Sequence, residues 1–280
     1  MRHSKLGGLF DIMARLRGSP ARRVVYTCLF GFSEPLNEIE IEREKGVDYI
    51  CFTDDPDLKS STWSIKLVQE SLLDPVRAAK RVKILAHHYL SEYEISLYVD
   101  NTVKLKKVAV EIFEQYLEPS VSPLVCFRHP LRSCIYDEAA AVIEAKYDDP
   151  ERVGAQIAQY RAMNYPALAG LYKGAFLLRR HNDALLVEVM QTWYEQVLRH
   201  SFRDQLSMPV AFAHHKFAPG IIRMNFLDND MLEWPVVRGD RVPRDFDDPR
   251  YLQLHPDVRE ANISPRKHYQ LSGRAEGRAY

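Results

Sequence analysis

The sequence has no excess of either charge, no long apolar run and no glycine-rich phosphate loop, and each absence removes a class of function. Lys and Arg together number 38, as do Asp and Glu, so the formal net charge is zero. No global field draws the chain onto nucleic acid or an anionic membrane, and any bound anion must be met by basic residues gathered locally. No segment approaches the roughly 18 consecutive apolar residues of a membrane span. The first residues, MRHSKLGGLFDIMARLRGSP, are basic and only briefly apolar, so they lack the core of a secretory signal. At most, residues 6 to 17 suit a short amphipathic surface helix in peripheral contact with a membrane or a partner. Gly-x-Gly-x-x-Gly, P-loop, Gly-x-Ser-x-Gly and His-Glu-x-x-His patterns are all missing, which leaves dehydrogenase, kinase and serine-hydrolase readings with little support. Cys28, Cys51, Cys126 and Cys134 sit mostly inside apolar runs, without the close pairing of zinc or redox motifs. They read as reduced core residues, in keeping with the cytoplasm.

What is present is enough chain for a full core: 280 residues, 46% hydrophobic and 27% charged, suited to one large domain with a small annex. Residues 24–30, 48–53, 64–68, 94–99, 124–127 and 174–179 are short and rich in β-branched and aromatic residues, and read as strands. Between them, Ala78, Val82, Leu85 and Tyr89 repeat at helical spacing, as do Leu186, Val189, Met190, Trp193 and Val197; residues 103–117, 136–147 and 152–164 do so more loosely. Strands alternating with helices predict an α/β fold, a Rossmann-like, mostly parallel sheet flanked by helices. Ligands in such folds lie beyond the carboxyl ends of the strands. The expected division is an N-terminal extension over 1–22, the main domain over 23–235, a charged, Pro-containing linker over 236–250 and a small helical C-terminal module over 251–280.

Chemistry-bearing residues cluster at the expected strand exits. In ISLYVDNTV, Asp100 leaves a strand where a carboxylate can hold a divalent cation against a diphosphate; Thr102 stands where a second acid is commonly found, and an N-cap is the ordinary alternative. In FTDDPDL, Asp54 and Asp55 can accept hydrogen bonds from a nucleobase or ribose, or simply form an Asp-Pro turn. DPVRAAKRVKIL places Arg77, Lys80, Arg81 and Lys83 around a helix start, crowding that is relieved by an anion such as a diphosphate or by solvent. After another strand, His129 and Arg132 can orient an acceptor hydroxyl or a phosphate; a structural histidine is the other reading. In FRDQLSM, Asp204, beside Arg203 and Gln205, can act as a general base or stabilise an oxocarbenium-like sugar, or else cap a helix. The adjacent His87 and His88 point apart and read as structural, while His214 or His215 is a weak candidate for completing a cation site.

Taken in order, YTCLFGFSEPL, DYICFTDD, DPVRAAKRVKI, YVDNTV, RHPLRSCIYDEA, the helix from Gln156 to Tyr160, GAFLLRRHN and RDQLS resemble a family of glycosyltransferase-like domains, long filed as a domain of unknown function, found in bacteria and in plant proteins linked to pectin and mucilage synthesis. The resemblance runs from about Val24 to Asn225. It implies a GT-A-type fold that binds a nucleotide-sugar donor and passes the sugar to a glycan-type acceptor. It further implies the roles given above for Asp54, Asp55, Lys80, Asp100 and Asp204. With the residues beside them, the expected nucleotide-sugar contacts are Asp54, Asp55, Arg77, Lys80, Arg81, Asp100, Asn101, Arg203 and Gln205, and the expected catalytic residues are Asp204, His129 and Arg132. Mg²⁺ or Mn²⁺ is expected at Asp100 and Thr102. The tail, YLQLHPDVREANISPRKHYQLSGRAEGR, looks like a small repeat attached to bacterial glycosyltransferases and surface-polysaccharide proteins, so bacterial polysaccharide assembly is the expected setting. A non-catalytic module holding a nucleotide or glycan in the same cleft is the rival expectation. The donor sugar, the acceptor and the oligomeric state are not legible in the sequence.

Overall fold

Apolar runs bounded by polar turns form a seven-stranded sheet. In chain order its strands are β1 (Arg23–Leu29), β2 (Val47–Thr53), β3 (Ser64–Leu67), β4 (Ile95–Val99), β6 (Leu124–Arg128), β7 (Tyr172–Arg179) and β8 (Gly220–Ile222). A computed structural model describes residues 22–69, 72–274 and 276–280. The segment 6 to 17 lies outside the described residues. The spatial order is β3-β2-β1-β4-β7-β6-β8. Every neighbouring pair is parallel except those of β7, which runs antiparallel to both β4 and β6. The chain is therefore α/β with a mostly parallel sheet, as the alternation of segments predicts. The reversal of β7 matters for function, because it brings the beginning of that strand to the rim where its neighbours end: Asp100 N–H donates to Ala175 O at 3.0 Å.

Successive side chains of a strand face opposite sides, and the sheet accordingly separates two cores. Tyr26, Phe52, Val82, Leu186 and Trp193 pack on one face. Val25, Leu97, Phe113, Phe127 and Phe176 pack on the other. The first face is covered by α1 (Pro75–Ile84), α6 (Ala184–Arg199) and α7 (Asp204–His214). Helix α1 starts where it does because Asp74 accepts from Arg77 N–H and Pro75 occupies the first turn, whose amide needs no partner. Asp183 caps α6 in the same way. The periodic run 78–89 divides into α1 and the single turn α2 (Ala86–Tyr89). The segment 103–117 begins instead as a short strand, β5 (Lys104–Leu105), paired with β9 (Leu232–Glu233), before α3 (Ala109–Ile112) runs into a wide turn over Phe113–Leu117. Helices α4 (Ile135–Glu144) and α5 (Pro150–Ala162) lie between β6 and β7. Among the described residues no helix is long and apolar enough to cross a membrane.

The C-terminal module contains α8 (Asp248–Leu254), α9 (Pro256–Glu260) and α10 (Pro265–His268), which leads into a wide turn over Tyr269–Gly273. Its own small core joins Val242, Phe246, Tyr251, Val258 and Tyr269. The stretch 236–250 is pinned along its length to the main domain. Ser33 N–H donates to Val242 O at 2.9 Å, Arg238 meets Glu40 at 3.0 Å, and Arg244 pairs with Asp54 at 2.5 Å.

Candidate active site

A cleft of about 340 Å³ opens beyond the carboxyl ends of β1 and β4, the position where open α/β sheets bind ligands. Four parts of the chain wall it. Cys28, Phe30, Phe32 and Glu34 come from the exit of β1; Tyr98, Asp100, Asn101 and Thr102 from β4; Val76, Ala79, Lys80 and Lys83 from α1; and Ala145 to Tyr147 with Phe202 and Arg203 from the loops after α4 and α6. Arg241, Gln270, Leu271 and Arg274 close it from the C-terminal side. Six cationic side chains thus face two carboxylates, Glu34 and Asp100. A chain with no net charge presents a cleft suited to an anion.

The floor is an ion network. Lys83, almost wholly buried, donates to Asp204 Oδ2 at 2.5 Å and lies 3.7 Å from Asp100 Oδ1. Lys80 reaches the same Asp204 oxygen at 2.9 Å, and the Tyr98 hydroxyl donates to Asp100 Oδ1 at 2.7 Å. Burial opposes the charge of both acids, but the two ammoniums outweigh it and hold both carboxyls below their usual range. Lys83 is raised, since Asp100 and Asp204 outweigh its burial. Burial prevails at Lys80, pulling it down to about 8. Gly174 on β7 leaves room for this network: a Cβ there would sit 3.1 Å from Lys83 Nζ and 3.5 Å from Asp204 Oδ2.

Lys83 is aimed by the end of its own helix. Arg179, fully buried on β7, donates to Lys83 O at 2.9 Å and Ile84 O at 3.2 Å, and also to the Tyr26 hydroxyl. Tyr26 in turn donates to Lys83 O at 2.8 Å. A guanidinium with no carboxylate partner among the described residues is tolerable here because the last carbonyls of a helix carry partial negative charge.

The expected site residues divide into three groups. Lys80, Asp100, Asn101, Thr102 and Arg203 line the cleft, and Asp204 lies directly behind Lys80 and Lys83. A second group forms its own network away from the lining. His129 Nδ1 accepts from Arg132 N–H at 3.0 Å, while Glu138 accepts from Arg132 Nε at 2.5 Å and from Gln205 Nε2 at 3.2 Å. This arrangement joins the β6 exit to α7, and burial lowers His129 to about 4, so the imidazole is neutral. The third group also lies off the lining. Asp54 accepts from Gly31 N–H at 3.0 Å and pairs with Arg244, which Asp55 also approaches at 3.5 Å. Arg77 holds Asp74 and the carbonyls of Val197 and His200 at the end of α6, and Arg81 lies in the last turn of α1. His87 packs edge-on against His88, and His215 bonds Thr192 at the far end of α7.

Glu34, Tyr98, Arg241 and Arg274 join the cleft without having been singled out from the sequence. Tyr98 had a signal, since a side chain two residues before Asp100 shares its face of the strand. Burial raises the Glu34 carboxyl, opposed by Arg241 and reinforced by Asp100. The expected cation ligands are partly engaged by protein groups. Thr102 Oγ1 accepts from the Trp234 indole at 3.2 Å, and Asp100 keeps one oxygen clear of Tyr98 with an ammonium close by. Among the described residues no three or more His, Cys, Asp or Glu side chains converge as a metal site.

A family model for the TOD1/MUCI70 glycosyltransferase-like domain matches residues 21–233. The chain belongs to this family. The match ends just before cis-Pro235, so the TOD1/MUCI70 domain supplies all four of those parts of the cleft wall while Arg241, Gln270, Leu271 and Arg274 lie beyond it. No curated protein matches the chain.

Proposed function

We propose that this TOD1/MUCI70-type domain moves a sugar from a nucleotide-sugar donor to a glycan-type acceptor, and that it serves bacterial surface-polysaccharide assembly in the cytoplasm. The observation that carries this reading is the convergence of Asp100, Lys80, Lys83 and Arg203 in one cation-rich cleft at the carboxyl rim of the sheet. A leaving nucleoside diphosphate accumulates negative charge as the glycosidic bond breaks, and fixed ammonium and guanidinium groups stabilise it most where water is excluded. Lys80 is suited to meet that charge directly, because it lies at the cleft surface. The free oxygen of Asp100 is placed to accept a hydroxyl of the sugar or ribose. Glu34, the other cleft carboxylate, is the candidate base for the acceptor hydroxyl, its proton affinity raised by burial.

Asp204 is a positioning residue in this reading, acting through Lys80 and Lys83. In this reading the basic side chains supply the positive charge that Mg²⁺ or Mn²⁺ at Asp100 and Thr102 would otherwise bring. The test combines thermal shift and donor hydrolysis over UDP-, GDP-, CMP- and dTDP-sugars, each with Mn²⁺ or with EDTA. A ligand that binds only the folded state raises its apparent stability. Stabilisation by one nucleotide class with slow release of free sugar, unaffected by chelator, is expected. Binding without turnover across a broad acceptor screen overturns transfer and leaves a binding module.

A further inference from the structure

The cleft is closed by side chains that follow the family-matched segment, and they share one chemistry. Arg241 and Arg274 lie against the same Phe32 ring, at 4.7 and 5.1 Å from its centroid. Arg203 completes the arc, its guanidinium 4.8 Å from the Tyr147 ring. Acceptors for these cations are scarce. Arg241 meets Glu34 at 3.5 Å, the buried Nε of Arg203 has no partner, and among the described residues no carboxylate pairs with Arg274. The charge on Arg274 is disfavoured by partial loss of water and by Arg241 and Arg203 nearby, which outweigh the opposing pull of Tyr269 and Asp148. Like charges gathered around a concave surface cost stability unless an anion relieves them.

The arc is rigidly mounted. Tyr251, fully buried in the module core, bonds His268 Nδ1 at 2.9 Å. Gly273, immediately before Arg274, packs so closely that a Cβ would lie 2.1 Å from the Tyr251 hydroxyl oxygen. Arg244 and Ser33 tie the approach to the module onto the exits of β1 and β2. Arg274 is therefore held at the cleft by the packing of the module.

We propose that the C-terminal module is a working wall of the binding site, in which Arg274 and Arg241 grip the charged oxygens of a diphosphate lying against Lys80. The planar guanidinium fork suits phosphate oxygens, and cations on opposite walls suit a ligand with more than one negative charge. That the diphosphate belongs to a sugar donor rests on the function proposed above; the anion site itself does not.

The test is calorimetric titration of the full chain with inorganic pyrophosphate and with UDP, comparing wild type with Arg274→Gln, Arg274→Lys and Arg241→Gln. Arg274→Gln should weaken pyrophosphate binding tenfold or more, with part of the loss recovered in Arg274→Lys. Its ligand-free melting temperature should equal or exceed that of wild type, because an uncompensated charge has been removed. A purely structural arginine gives the opposite pattern: a lower melting temperature and unchanged affinity. Wild-type affinity in both glutamine variants, or no binding of either probe to wild type, overturns the proposal. The two readings fail separately. Donor turnover with an unchanged KM in Arg274→Gln removes the wall and leaves the transferase. Arg274-dependent pyrophosphate binding with no turnover of any nucleotide-sugar does the reverse.

Discussion

Replacing Asp204 with Asn keeps the shape of the side chain and removes the charge on which the cleft floor is built. In the native protein one carboxylate oxygen receives Lys83 at 2.5 Å and Lys80 at 2.9 Å, while Asp204 O accepts from the buried Trp193 indole at 2.9 Å. Lys83 is only 2% exposed. After the substitution its one remaining counter-charge among the described residues is Asp100 at 3.7 Å. Removing one partner of a buried ion pair costs about 3–5 kcal/mol, mostly through the charge left behind. Lys80 is more exposed and can turn into the cleft, which favours the lower end, about 3 kcal/mol. At roughly 2–4 °C per kcal/mol for a domain of this size, the melting temperature should fall by about 6–12 °C. Scanning calorimetry and urea unfolding measure this directly, and Lys83→Met together with Asp204→Asn should recover part of the loss, since the two sites are coupled. Donor turnover should also fall, through misplaced lysines. A variant within about 1 kcal/mol of wild type, or a double variant showing no recovery, refutes the assignment of Asp204 as the anchor of both lysines.

The remaining predictions concern packing and protons. Gly174→Ala should cost about 1–3 kcal/mol and lower activity, because the new methyl presses on the Lys83–Asp204 pair; unchanged urea midpoint and turnover would contradict this. Gly31 has φ of 74° and leaves no space for a Cβ, which would meet Pro75 Cβ at 2.3 Å, so Gly31→Ala should lower the melting temperature and loosen the β1 exit from α1, and retention of the wild-type midpoint counts against that fit. Burial lowers His181 and His129 to about 4; His181 bonds Leu90 O through Nε2, leaving buried Nδ1 without a partner for an added proton. Between pH 6.5 and 4 the unfolded chain takes up protons that the folded chain refuses, so stability should fall on acidification, approaching about 1.4 kcal/mol per pH unit for each such histidine. Urea unfolding at pH 7, 6 and 5 checks the slope, and a flat profile, or one unchanged in His181→Gln, removes these groups as its cause.

Much of the sheet was legible because its signals are local. The segments 48–53 and 94–99 match β2 and β4 to within a residue, and Asp100 stands where a buried strand meets the cleft. The direction of β7 was not legible, since a run such as GAFLLR buries equally well whichever way it points. Nor was the fate of individual charges. Asp54 has the same local appearance as Asp100 and Asp204 that of an ordinary helix start, yet Asp54 is bound by Arg244, 190 positions downstream, and Asp204 is reached by lysines more than 120 positions upstream. Such pairings depend on which distant segment arrives at the rim. The C-terminal wall is the extreme case: Arg274 sits in a polar, Gly-containing tail whose placement over Phe32 follows from tertiary packing around Tyr251 and Phe246.

That placement links cleft occupancy to the opening of the tail. An anion touching both Lys80 and Arg274 acts as a removable cross-link between the first third of the chain and its last few residues, and whatever energy it gains from the arginines must be given up before the module can detach. Amide protons in α8 and in the turn over Tyr269–Gly273 should therefore exchange with solvent more slowly as the cleft fills.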